Sequence, residues 1–306
     1  MIRSGRRGRL SPAEMFPGGD PEYRVSFPRL RSGIRIRTVE RGDAHAPPVL
    51  LVHGWGCSAY VFRKNMAPLA EGGFRAIAVD LKGHGLSDKP LGEGEYVIDA
   101  LVDHLLDILD ALGLERPSMV GHSMGASLIY HFASSHPQRA KCLGLWSPVG
   151  LSGVPPMWLY RLLTPEFLNP VVRRFRPRLV VELALRRVYG KRARFTERDV
   201  EEYWAPTQFP EYSLALRDLL HAYDWNAGEH RRLQTLRIPA IGIWGSRDHL
   251  MPPNGMDVYT RLIPGIVLRE IKDAGHIIPE ETPDEVNGAL IELLGAKGVN
   301  RYIRNG

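Results

Sequence analysis

Two kinds of apolar pattern alternate along the first half of the chain. YRVSF (23–27) and IRIRTVE (34–40) place apolar residues at every second position, the period of a strand with one solvated face. PVLLVHG (48–54), FRAIAVD (74–80), PSMVGH (117–122) and KCLGLWS (141–147) are more continuously apolar, as strands covered on both faces of a parallel sheet are. Between them, residues 96–112 set Ile98, Leu101, Leu105, Ile108, Leu109 and Leu112 at helical spacing, and Gly113 stops the run. A second helix is predicted from Met124 to His136, ended by Pro137.

The rhythm breaks after Ser147. Residues 148–236 carry helical pieces rich in Leu, Arg and Trp, prolines at 155, 156, 165, 170, 177, 206 and 210, and no clear buried strand. The strand pattern resumes at IPAIGIWGSRD (238–248), followed by a helical stretch, a strand at IVLREI (266–271) and a last helix around 280–294. This alternation predicts the α/β class: a doubly wound, mostly parallel sheet of eight strands. The interruption reads as an all-helical insertion, because a structureless loop of that length does not suit a compact domain. The expected organisation is a basic, mobile tail over 1–22, a core built from 23–147 and 237–306, and a helical cap over 148–236.

Composition narrows the classes. Apolar residues are 44% of the 306 and charged residues 24%, which excludes a mostly disordered chain. No stretch approaches the roughly 18 to 20 apolar residues of a membrane span. MIRSGRRGRL has no apolar core, so the N-terminus does not read as a secretory signal. Cys57 and Cys142 cannot build a disulfide framework and suit a reducing compartment, so the cytoplasm is the expected location. The net charge of +6 is unevenly placed: residues 1–10 hold four arginines, and residues 161–194 hold ten basic residues against Glu166 and Glu182. The remainder is mildly acidic, which is not a nucleic-acid footprint.

The strongest chemical signal is Gly121-His122-Ser123-Met124-Gly125, a G-x-S-x-G between a strand and a helix. Its glycines permit a sharp turn that leaves the Ser123 hydroxyl exposed at the apex. A serine hydroxyl is a weak nucleophile and needs a base within hydrogen-bond reach. His53-Gly54-Trp55-Gly56 follows the strand VLLV, and its glycines let backbone N–H groups turn toward Ser123. The amides of Trp55 and Met124 are the candidate oxyanion donors; losing one such donor typically costs about 3 to 4 kcal/mol of barrier stabilisation. Asp248 ends the resumed strand and His276 follows the last one, both at the carboxyl edge where sites of open α/β sheets lie. In the order Ser123, Asp248, His276, the imidazole would take the serine proton and the carboxylate would orient it.

With these motifs the sequence resembles the α/β-hydrolase superfamily, the kind with a serine nucleophile and a helical cap after the sixth strand. Asp80-Leu81-Lys82-Gly83-His84-Gly85-Leu86-Ser87 is similar to the D-x-x-G-x-G-x-S segment of that group. The resemblance runs from about residue 23 to 294 and implies a carboxylic ester hydrolase, esterase- or lipase-like, that forms an acyl-enzyme without a cofactor. Dehalogenases and epoxide hydrolases of the superfamily place aspartate at the elbow, which Ser123 disfavours. The alternatives are a carbon–carbon hydrolase like those acting on meta-cleavage products, and a weakly catalytic ligand-binding scaffold.

The rival residues are weaker. Asp273 lies too close to His276 in sequence to be its obvious partner, and Asp224 is more distant still. His104, His131 and His136 lack metal-ligand spacing, and no metal is expected. Cys57 reads as a packing residue. His53, Gly54 and His122 flank the two turns, as pocket wall or hydrogen-bonding support. Trp158, Leu159 and Leu162 share a helical face with Leu163 and are candidates for an apolar substrate lining, though packing on the core explains them as well. The same face, beside the basic run 173–194, suits peripheral contact with an anionic membrane. The expected partner is a small-molecule ester. Oligomeric state is not legible.

Overall fold

The computed structural model describes residues 9–151, 154, 157–174, 176–231, 233–251 and 255–295. Eight strands form one sheet: β1 (Arg24–Ser26), β2 (Thr38–Arg41), β3 (Pro48–Val52), β4 (Arg75–Val79), β5 (Ser118–His122), β6 (Leu143–Trp146), β7 (Ala240–Gly245) and β8 (Val267–Ile271). Their order is β1-β2-β4-β3-β5-β6-β7-β8, with β1–β2 and β2–β4 antiparallel and every other pair parallel. All the strands from β3 onward therefore deliver their carboxyl ends to one edge.

The continuous apolar strands are explained by two cores. In β3, Leu50 and Val52 pack with the helices Ile98–Ala111 and Met124–Ser135. Val49 and Leu51 pack on the other face with the helices Met66–Glu71 and Pro283–Leu294. With both faces covered, no position in the strand is left for a polar side chain. Each buried Val or Leu contributes roughly 1.5 to 3 kcal/mol.

Two expectations need correction. The alternating IRIRTVE is not a half-solvated strand, since β2 begins only at Thr38 and Arg37 is buried. The Asp80 carboxylate at the end of β4 faces Arg37, with Nε 2.9 Å from Oδ2, and supplies the countercharge its burial requires. Nor is the N-terminal segment a free tail up to residue 22. Met15 is buried, the Phe16 amide donates to Glu202, and the Phe16 ring packs edge-on against Tyr60 and Tyr23. Arg3, Arg6 and Arg7 of the expected tail, and residues 296–306 of the expected core, lie outside the described residues.

Between β6 and β7 the chain forms helices, including Met157–Leu163, Asn169–Arg174, Arg178–Val188, Glu197–Trp204 and Tyr212–Ala222, and no strand among the described residues. Glu197–Trp204 starts at a capping box: the Thr196 hydroxyl accepts from the Asp199 amide and the Asp199 carboxylate from the Thr196 amide. No helix among the described residues is long and apolar enough to cross a membrane.

Candidate active site

Ser123 stands between β5 and the helix Met124–Ser135 with φ 57° and ψ −124°, left-handed for a residue with a side chain. Such a conformation costs on the order of 1–3 kcal/mol and persists only where its surroundings enforce it. Glycines do so here. A Cβ at Gly125 would lie 2.2 Å from the Val52 carbonyl oxygen, and one at Gly54 would lie 2.7 Å from the Ser123 Cβ. The helix can therefore press against β3, and the turn after β3 can approach the serine. Ser147 after β6 and Asp273 after β8 also have positive φ, so the strained residues gather at the same sheet edge.

The three side chains singled out in the sequence converge. The Ser123 hydroxyl lies 2.8 Å from His276 Nε2, and His276 Nδ1 lies 2.8 Å from Asp248 Oδ2. With Nδ1–H donating to the carboxylate, Nε2 is left to accept from the hydroxyl. The other Asp248 oxygen accepts from the Leu250 and Met251 amides. Burial alone would raise the Asp248 carboxyl; His276 and these amides outweigh it and hold the carboxyl below its ordinary range. Ser123 is only 7% exposed and His276 4%.

Rival groups have other occupations. The Asp273 carboxylate is paired with Arg247 at the surface, and Asp224 accepts from the Asn226 amide. Burial holds His131 down at about 4, and it holds His104 at about 3 while His104 Nε2 accepts from the Lys82 amide. Burial, with the Glu280 carboxylate nearby, pushes the Cys57 thiol up to about 12, far from a reactive thiolate. Among the described residues, no cluster of three His, Cys, Asp or Glu side chains could hold a metal ion.

Of the six pocket candidates, only Gly54 abuts the serine. His53 is a strut: Nδ1–H donates to the Gly54 carbonyl while Nε2 accepts from the Leu81 amide. His122 is another, donating through Nε2 to the His276 carbonyl. Trp158 and Leu162 are 70% and 67% exposed, and Leu159 is also exposed, so none of them is packed into an apolar lining. Their helix buries Met157 instead.

What sequence reasoning missed is how the helical insertion grips the site. The His276 amide donates to the Val188 carbonyl at 2.7 Å, and the Lys191 amide to that of Asp273. Gly190 and Gly275 face each other so closely that a Cβ on either would come within 2.4 Å of the other's backbone nitrogen. One carboxylate staples both: Glu281 accepts from the amides of Gly190, Gly275 and Arg192. Its neighbour Glu280 accepts from Tyr189 and Tyr203 of the insertion and pairs with Arg63 of the core. Elsewhere the Trp55 indole donates to the Leu216 carbonyl, and the Tyr223 hydroxyl donates to the Ser127 hydroxyl. The one available signal was the acidic pair just after His276; its partners in the insertion lie 77 to 91 residues away.

Known proteins agree with this architecture. The Bacillus subtilis AB hydrolase superfamily protein YfhM is 27% identical over 274 residues, covering 86% of this chain and 95% of that one. Epoxide hydrolase A of Mycobacterium tuberculosis is 27% identical over 305 residues, again covering 86% and 95%. A thermophilic esterase from Thermogutta terrifontis superposes with a TM-score of 0.71 at 25% identity, over 89% of this chain and 98% of that one. The family model described as the alpha/beta hydrolase fold matches residues 47–283, from just before β3 to the start of the last helix. The chain belongs to the α/β-hydrolase fold family.

Proposed function

We propose that the protein is a serine hydrolase that cleaves a carboxylic ester with an apolar acyl or alcohol part. The observation that carries this reading is the hydrogen-bonded relay from Ser123 through His276 to Asp248, with both links at 2.8 Å. Ser123 Oγ attacks the ester carbonyl as Nε2 takes its proton, and Asp248 stabilises the imidazolium that forms. The amides of Trp55 and Met124 hold the oxyanion; Met124 opens its helix, so its N–H has no intrahelical acceptor. Nε2 returns the proton to the leaving alcohol. Water then attacks the acyl-enzyme by the same base and frees the acid.

The relatives named for esterase and for epoxide hydrolase activity point two ways, and the nucleophile discriminates between them. Aspartate opening an epoxide makes an ester that water can cleave. Serine would make an ether, which this base cannot hydrolyse, so turnover would stop after one event. Ser123 therefore supports the ester reading.

The test is turnover of p-nitrophenyl esters of graded chain length, with a vinylogous diketone alongside. Esters should be hydrolysed, and Ser123→Ala should reduce kcat by about 10⁴-fold or more while the circular dichroism is unchanged. Turnover of the diketone alone would transfer the reading to carbon–carbon cleavage. No turnover of either, with ligand binding retained, would leave a binding scaffold.

A further inference from the structure

The insertion shows one polar, stapled face to the core and a very different one to solvent. Of fourteen large apolar side chains exposed among the described residues, nine fall between Trp158 and Leu183, including Leu163, Phe167, Val171 and Leu179. The helix Arg178–Val188 is the extreme case, since Leu185 is its only buried residue although most of its side chains are apolar. Packing among the described residues does not cover these side chains, and apolar surface exposed on this scale marks an interaction site.

Charge identifies what covers it. The same stretch holds Arg173, Arg174, Arg186 and Arg187, all exposed, and residues 161–194 contain ten basic side chains against Glu166 and Glu182. Glu182 accepts Arg178 and Arg186, Arg173 lies 3.6 Å from Glu211, and Arg192 pairs with Glu285, so the excess that remains is smaller than the count but still positive. A second copy meeting this face would bring two net-positive surfaces together, a like-charge arrangement that opposes association. A duplex or single strand of nucleic acid would satisfy the arginines but leave leucine and phenylalanine without a partner. An anionic bilayer satisfies both, taking apolar side chains at the acyl boundary and arginines at its phosphates. We propose that the outer face of the helical insertion docks on an anionic phospholipid surface, a role that does not depend on the ester chemistry beneath it.

Co-sedimentation of the full chain with vesicles tests this. The protein should pellet with phosphatidylcholine–phosphatidylglycerol vesicles and stay in solution with phosphatidylcholine alone. The paired substitutions Phe167→Ser with Val171→Ser, and separately Leu179→Ser with Leu183→Ser, should each weaken binding about tenfold. Arg173→Glu with Arg174→Glu should do the same, and all three should keep their hydrolysis of a water-soluble short-chain ester, which reports an intact fold. Replacing Arg3, Arg6 and Arg7 by Ser should leave binding unchanged. The proposal is overturned by absence from the phosphatidylglycerol pellet, by binding that survives all three face variants, or by binding lost only with the N-terminal arginines. It is overturned equally if sedimentation velocity shows a dimer that the apolar variants dissociate and no vesicle binding.

Discussion

The carboxyl edge of the sheet and the helical insertion above it are held in different ways. At the edge, position is set by backbone: Ser123 is fixed in a strained conformation between glycines that touch β3 and β5. The insertion is held by long-range polar staples, Glu281 on three amides and Glu280 on two tyrosines and Arg63, while its far side exposes nine large apolar side chains among the described residues. The difference teaches where each part can change. The edge has no slack, because a single methyl group at Gly54 would collide with the serine. The insertion can move only by releasing named hydrogen bonds, and one of them reaches the amide of His276 itself.

The largest test of this contrast lies at the edge. Asp248→Asn should lower kcat for an ester by about 10³- to 10⁴-fold, whereas Asp273→Asn, paired only with Arg247 at the surface, should stay within about twofold. Equal losses would mean that the acid has been misassigned. Within the insertion, one helix supplies its own control. Leu185→Ala should cost about 2–4 kcal/mol in urea unfolding, and Leu183→Ala less than about 0.5 kcal/mol, because the first is 4% exposed and the second 56%. Similar costs would show that the outer face is packed in solution.

Acid should strain the buried core next. Burial holds His104 and His122 at about 3 and His131 at about 4, below the ordinary value, so protons bind preferentially to the unfolded chain. Their contribution is complete above about pH 6.5 and is lost as pH falls toward those folded values; each should cost about 2 kcal/mol by pH 5. Urea midpoints at neutral pH and at about pH 5 check this, and His104→Gln should flatten the slope. A flat profile in the parent protein would contradict the burial. The smallest effect is the most informative about coupling. Glu281→Gln places an amide donor among three backbone donors, loosening the strap and the His276 loop together; kcat should fall about tenfold with KM nearly unchanged. A change in KM alone would assign Glu281 to the pocket rather than to positioning the base.

Much of the edge was legible because its determinants are local. A strand, a glycine and a chemically distinctive residue lie within a few positions at Ser123, at Asp248 and at His276. The central strands β3 to β7 were readable for the same reason, their burial on both faces leaving continuous apolar runs. Three features were not legible. Arg37 looked solvated because its countercharge, Asp80, is forty-three residues away. Trp158 and Leu162 read as packing on the core or as pocket lining, yet both are exposed, because periodicity reports an apolar face but not what covers it. His53 and His122 left two readings open, pocket wall or hydrogen-bonding support, because a histidine beside a turn reads alike in both roles; here both brace the backbone.

The central claim is that Ser123 is activated by His276 beneath the insertion. A fluorophosphonate probe followed by peptide mapping addresses it directly. The account predicts a single adduct on the Ser123 peptide, abolished by Ser123→Ala and slowed about 10³-fold or more by His276→Ala. Labelling elsewhere in the chain, or labelling of Ser123 at an undiminished rate without the imidazole, would contradict it.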